Sequence, residues 1–318
     1  VAAIKLAEDF QLLKRWLEIV MGKSYYHQPQ HLGKAFRPSE LYGYFNDLTG
    51  KTQWIGLTDE EGVPVNILAD GRRVYFATTI AQKALGHWDE WLLNQKEEDR
   101  KEFLKLCYWL LSKQDNYGGW PIWSELGLSL SSAYSAMTQG EGISAFVRAW
   151  KLTGDETFAK GAKKAFSLMC KPIEEGGPLI LEGDNIFLEE APSNPRSSIL
   201  NGWIFALFGL YDFWLVFEDK QAYDIFKCSL RSLITHLGQY DTGYWSYYDV
   251  QKHLASPFYH VLHINQLEAL LMIEHNPTLK EVLYRWKAYQ QSKINEFRAL
   301  FIKAIQKLKE PGEVVVIK

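Results

Sequence analysis

The sequence predicts a mainly α-helical chain. Its helices pair into hairpins around an (α/α) toroid, with small β-hairpins in the cleft loops and an extended or hairpin segment near the N-terminus. Three observations point there. From residue 77 onward, apolar residues recur at helical spacing for most of the remaining length. Short polar links at Lys96–Asp99, Thr153–Asp155, Glu218–Asp219 and Glu274–Pro277 divide that pattern into pairs at near-regular intervals, marked by Asp99, Asp155, Asp219 and Asn276. Long irregular loops separate the pairs, which suits a toroid with a loop-built cleft better than an open solenoid.

The elements follow in order. Residues 2–21 place Ile4, Phe10, Leu13, Trp16, Leu17 and Val20 at helical spacing. Residues 22–75 are dense in Tyr, Gly, Pro and Asn, and Tyr42–Phe45 is expected to pair with Gln53–Leu57 across Asn46–Lys51. Residues 1–75 are thus read as a segment packed on a main domain of residues 76–318. Pro178–Glu190 reads as a hairpin about a Gly-Asp-Asn turn, and Thr242–Val250 as a second strand-like loop. Trp203–Phe217 is the longest apolar stretch; Gly209 and Asp212 interrupt it, and a span needs about 20 apolar residues, so it reads as a buried helix. Ile294–Lys309 is an amphipathic helix with Phe297, Leu300, Phe301, Ala304, Ile305 and Leu308 on one stripe, to pack on the toroid or on a partner chain, so a homodimer is one expectation.

Composition limits the function. Among 318 residues the net charge is −3, so no basic face for phosphates is built in and nucleic acid is not an expected partner. The aromatic count is high, with 12 Trp, 17 Tyr and 17 Phe; such rings suit sugar binding, although core packing is their ordinary use. Cys107, Cys170 and Cys228 are scattered, giving neither a disulfide framework nor a metal-spacing motif. No signal peptide or membrane span is visible, and a cytoplasmic location is the expectation. Gly140–Glu141–Gly142 lacks dinucleotide spacing, no nucleophile elbow occurs, and no cofactor is expected.

Groups capable of chemistry concentrate in the loops. His253, His260 and His263 fall in one short stretch behind Tyr247 and Tyr248. A helix starting near Phe258 would put Tyr259 and His263 on one face, either as an acid/base cluster or as rings that brace the loop. A metal would need a third ligand and a spacing such as HExxH, and neither is present. Glu189 and Glu190 end the first hairpin; neighbours on a strand point to opposite faces, so one at most meets a cleft, and two solvated acids is the plainer reading. Gly118–Trp123 carries Trp120 and Trp123 on a glycine turn, as loop packing or as a stacking platform.

Six segments together resemble a known family. VPVNILADGRRVYFATTIAQKALGHW (63–88), KQDNYGGWPIW (113–123), YSAMTQGEGISAFVRAWKLTGDETF (134–158), LEEAPSNPRSSILNGWIFALFGLYDF (188–213), YDTGYWSYYDVQKHL (240–254) and YHVLHINQLEAL (259–270) are similar, in order and spacing, to blocks of the D-glucuronyl C5-epimerases. The resemblance covers roughly residues 60–290 and is of the compact bacterial kind, without the β-rich domain inserted in animal members. It implies inversion at C5 of glucuronic acid within an acidic, heparosan-like polysaccharide to iduronic acid, with no cofactor and no metal. The C5 proton is α to a carboxylate, so the chemistry needs two acid/base groups flanking the ring and a group that neutralises the carboxylate.

The resemblance also implies roles for residues. Glu190 takes the catalytic glutamate position, Tyr259 opposes it as the second proton carrier, and Tyr248 assists. His260, His263 and Asn265 would orient the site, with Arg196, Asn201, Gln139, Trp120 and Tyr134 as further substrate-binding positions. Two departures stand out: Ala191 replaces the family's usual Tyr, and Gln251 replaces an Arg suited to an anion. Arg196, Lys252 or His253 would then compensate. A polysaccharide lyase, which shares the first proton abstraction, and a non-catalytic glycan-binding protein are the alternatives.

Overall fold

Capping residues delimit the helical hairpins. The computed structural model describes residues 27–309, Ala69 excepted. In it α1 (Ala77–Asn94) is followed by α2 (Glu97–Lys113) and a one-turn α3 (Ile122–Glu125). The next pairs are α4 (Ala136–Thr153) with α5 (Glu156–Met169), α6 (Leu200–Phe217) with α7 (Lys220–His236), and α8 (Pro257–Ile273) with α9 (Pro277–Gln291). A last helix, α10, spans Lys293–Lys309. The side chains of Ser135, Asp155, Asp219, Ser256 and Asn276 each accept a hydrogen bond from a first-turn N–H of the helix they precede. Each such cap contributes about 1 kcal/mol. Three of the polar marks in the sequence, Asp155, Asp219 and Asn276, are therefore helix starts.

The helices form the two layers of an (α/α) toroid. Helices α1, α4, α6 and α8 pack side by side in that order, and α2, α5, α7 and α9 back them one each. The inner layer is apolar on nearly every side: α6 is buried from Leu200 to Phe213 and α4 from Ala136 to Ala149. The outer helices α5 and α7 bury one stripe only. Where α4 and α6 cross, Gly140 and Gly209 touch backbone to backbone, and a Cβ on either would overlap the other helix. Among the described helices α6 alone has the length and apolarity to cross a membrane, and 78% of it is buried within the fold.

Residues ahead of α1 are fastened to these helices by a buried charge. The Arg148 guanidinium on α4 pairs with Asp212 on α6 at 2.5 Å and donates to the carbonyls of Tyr42 and Gly43. Tyr44 N–H donates to Asp89 on α1. The pairing expected between Tyr42–Phe45 and Gln53–Leu57 does not form. Asn46 bridges to Leu32, Thr49–Thr52 makes a 3₁₀ turn, and the hairpin falls later, between β1 (Asn66–Ile67) and β2 (Arg73–Val74). The Asp47 carboxylate causes this: it accepts from the N–H and hydroxyl of Thr49, an Asx-type turn that competes with strand pairing. The helix read over residues 2–21 lies outside the described residues.

The Pro178–Glu190 hairpin forms as β3 (Leu179–Glu182) against β4 (Asn185–Leu188). Thr242–Val250 is not a regular strand. It coils through isolated bridges, Asp241 to Ser246 and Tyr247 to Leu254, because Thr242 and Asp241 side chains take up local N–H groups. On α10 the apolar stripe does not all pack inward: Ala299 is buried and Ile302 partly so, whereas Phe297, Phe301 and Ile305 are exposed.

Candidate functional site: a cleft at the helix N-termini

A half-open cleft of about 180 Å³ lies where the inner helices begin. Thr78, Thr79 and Gln82 come from the start of α1, Ser135 and Met137 from that of α4, Asn201 from α6, and Phe258 and Tyr259 from α8. Each helix presents the positive end of its macrodipole there, so the four together favour a negatively charged guest. The rest of the wall includes His27, Gln30, Lys51, Trp123 and Glu190. The volume is below the ~300 Å³ of ordinary drug-sized pockets, which suits one ring at a time.

The adjacent glutamates part ways, as strand neighbours must. Glu189 turns into the loop ahead of α6, where its carboxylate accepts from Ser198 N–H and from both the Ser197 and Ser198 hydroxyls. Glu190 turns into the cleft, held against the bare Cα of Gly202, with Asn201 Nδ2 3.5 Å from its Oε2. Trp123 Nε1 donates to its backbone carbonyl at 2.9 Å. Burial, with Glu189 behind it, pushes the Glu190 carboxyl up to about 8. Glu141, fully buried on α4, is likewise raised to about 8 by burial, although Gln82 donates to its Oε1 at 2.8 Å.

Tyr259 enters the cleft from the first turn of α8 and is raised by burial and then by the Glu190 charge. Tyr248 stands behind it, ring centroids 4.7 Å apart, and their hydroxyls share a hydrogen bond in which Tyr259 is the acceptor. That bond partly offsets the rise on Tyr259, while burial drives Tyr248 higher still. The Tyr248 loop is tied to the scaffold, since its carbonyl accepts from Leu200 N–H at the start of α6.

Of the residues singled out in the sequence, Glu190, Tyr259 and Asn201 line the cleft and Tyr248 backs it. His260 and His263 lie beneath, with Ser246 Oγ at 2.8 and 3.1 Å from their Nδ1 atoms. His260 stacks on Trp245, and burial lowers both rings, His260 to about 3. Asn265 donates to the Val261 carbonyl, and Gln139 is buried, donating to the carbonyls of Gly118 and Ala165. Trp120 is buried with its Nε1 on the Leu110 carbonyl, and Tyr134 donates to Asp115. Arg196 is drawn to Glu182 and lies over the Phe187 ring. Gln251 is on the outside, near the Pro195 carbonyl; Lys252 lies over Tyr247, and His253 pairs with Asp249. None of these six side chains from Trp120 onward lines the cleft.

Sequence reasoning missed Lys51, His27, Gln82 and the threonines of α1. The cleft sits under a segment that carried no motif, so only the fold brings Lys51 beside Glu141. No three His, Cys, Asp or Glu side chains gather in a metal-holding group among the described residues.

Comparison with known proteins follows this geometry. The model of the D-glucuronyl C5-epimerase C-terminus matches residues 114–288. A D-glucuronyl C5-epimerase of Caenorhabditis elegans is 31% identical over 254 residues, 70% of this chain and 41% of the relative. An uncharacterised protein of Methanocaldococcus jannaschii is 31% identical over 156 residues, 48% of this chain and 49% of that one. The chain thus spans less than half the length of these curated relatives. Among solved structures, a GH76 α-mannanase of Bacteroides thetaiotaomicron aligns at a TM-score of 0.46 with 13% identity, covering 73% of this chain and 58% of that chain. An unsaturated glucuronyl hydrolase of Bacillus sp. GL1 aligns at 0.45 with 14% identity, covering 70% and 61%.

Proposed function

From the premise that this chain belongs to the D-glucuronyl C5-epimerase C-terminal family, we propose that its cleft inverts C5 of D-glucuronic acid units within a polysaccharide, giving L-iduronic acid. Glu190 takes the C5 proton from one face. The electron pair passes into the carboxylate as an enediolate, and Tyr259 delivers a proton to the other face. Tyr248 donates to the Tyr259 oxygen and so stabilises it once its proton has left. The protonation states suit these roles. A carboxyl raised to about 8 is a stronger base than a solvated one, and a raised phenol remains a proton donor at neutral pH. The observation that carries the proposal is that Glu190 and Tyr259, which are far apart in sequence, line the same small cleft.

The test is proton NMR of heparosan, the unsulfated polymer of glucuronate and N-acetylglucosamine, incubated with the protein in D₂O. The expected result is loss of the glucuronate H5 signal as iduronate signals grow. New alkene signals would mean elimination, hence a lyase. An unchanged spectrum would remove heparosan as substrate and turn the search to other glucuronate polymers.

A further inference from the structure

We propose that Lys51 is the cation that receives the substrate carboxylate, placed opposite the proton carriers by a braced turn of the N-terminal segment; this rests on the epimerase reading of the same cleft. Abstraction of a proton α to a carboxylate puts a second negative charge on the group, so a fixed positive charge at that point lowers the barrier. The family resemblance pointed to an Arg where this chain has Gln251, and the side chains expected to replace it are engaged elsewhere: Arg196 with Glu182, Lys252 over Tyr247, His253 with Asp249. Among the described residues that line the cleft, Lys51 is the one lysine or arginine.

The turn that carries Lys51 is pre-set. Asp47 accepts from Thr49 N–H and Thr49 Oγ1, and Lys34 pairs with Asp47 at 2.9 Å. Lys51 N–H donates to the Leu48 carbonyl, and α1 closes on that carbonyl at Gly86, where any Cβ would overlap it. A buried ammonium is costly without a negative partner. Its neighbour Glu141 is a weak one, since burial favours its neutral form. Burial lowers Lys51 itself to about 8, and an arriving carboxylate would restore its preference for the charged state. His27 is lowered to about 4 by burial and then by Lys51, so it adds no charge at neutral pH. The guest would then meet one point charge, four helix N-termini and two largely neutral carboxyls. An ammonium gives a single charged contact rather than the two-pronged grip of a guanidinium, so recognition rests on charge more than on carboxylate geometry.

Two probes test this: heparosan oligosaccharides, and the same oligosaccharides with carboxylates reduced to primary alcohols. Calorimetry at pH 7 should show the wild type preferring the carboxylate form by about 10- to 100-fold, the range of a charged hydrogen bond. Lys51→Met should lose that preference, and Lys51→Arg should recover part of it, with melting curves confirming that both are folded. Should the Met variant not fold, wild-type protein with ¹³C-labelled lysine side chains gives the same answer: one Cε resonance should move with the carboxylate form and stay put with the reduced form. A carboxylate preference that survives in Lys51→Met, or no preference in the wild type, overturns the proposal. C5 exchange in D₂O on the same samples separates the two levels. Preference tied to Lys51 without exchange in the wild type leaves this inference standing and removes the epimerase reading. Exchange with unchanged kcat and KM in Lys51→Met does the reverse.

Discussion

The inner helices carry buried charge at both ends, and the two ends differ in how that charge is met. At the start of α1, α4 and α6 sit Gln82, Glu141 and Asn201, with Glu190 and Lys51 alongside. Some polar atoms there, including Glu141 Oε2 and Asn201 Oδ1, have no hydrogen-bond partner. Further along the same helices sit Asp89, Arg148 and Asp212. There Arg148 is matched by a carboxylate and by the carbonyls of Tyr42, Gly43 and Ser144. A buried charge that the protein satisfies holds parts together. Groups left partly unsatisfied beside an opening are disposed towards a guest. The scaffold is shared, so the contrast isolates what polar satisfaction does.

Substitutions at each end should separate activity from stability. The largest effect is expected for Glu190→Gln: C5 exchange should fall by about 10²- to 10⁴-fold, the contribution of a positioned acid/base group, while the melting temperature holds or rises as a buried ionisable group is removed. A substantial residual exchange would assign the base elsewhere in the cleft. Arg148→Met comes next. It leaves Asp212 buried without its cation, and urea unfolding should show a loss of about 3–5 kcal/mol. A loss under 1 kcal/mol would mean that water already reaches that end, and the contrast would fail.

Much of this was legible in the sequence, for identifiable reasons. The hairpin pairs were legible because Asp155, Asp219 and Asn276 act locally, capping the next turn of chain. The divergence of Glu189 and Glu190 follows from strand alternation alone, although which one meets the cleft depends on where Ser197 and Ser198 fall. The 3₁₀ turn at Thr49–Thr52 was missed because one Asp47 side chain outweighed a modest strand propensity. Trp120 and Gln139 read as surface binding groups, yet both are buried against backbone carbonyls, which residue type cannot reveal. Lys51 was invisible because its meaning lies in a neighbour some 90 positions along the chain, Glu141.

Tyr248→Phe should act more mildly. It removes the bond to the Tyr259 oxygen, worth about 1 kcal/mol net, so exchange should drop about tenfold with little change in substrate affinity. Tyr259→Phe at the same position in the relay should cost far more. Equal losses for both would make Tyr248 a direct proton carrier rather than a support.

The smallest expected effect uses pH to read both ends at once. Burial raises Asp89 at one end, and Glu141 and Glu190 at the other, to about 8 in the folded chain. Their unfolded values lie near 4. Between those limits the folded state holds more protons than the unfolded state, so stability must fall as pH rises. The contribution of each group is complete below about 4 and lost as pH climbs through about 8. Melting temperature should therefore decline from pH 5 to pH 8.5, by on the order of 2–4 °C for each kcal/mol involved at this chain length. Asp89→Asn should flatten part of that decline and leave C5 exchange intact, because Asp89 is bonded to Tyr44 N–H and does not line the cleft. Glu141→Gln should flatten a similar part and also shift the pH dependence of exchange, since Glu141 acts on Lys51. If both variants changed exchange alike, the two ends would be one coupled network, and the division between a holding end and a working end would have to be abandoned.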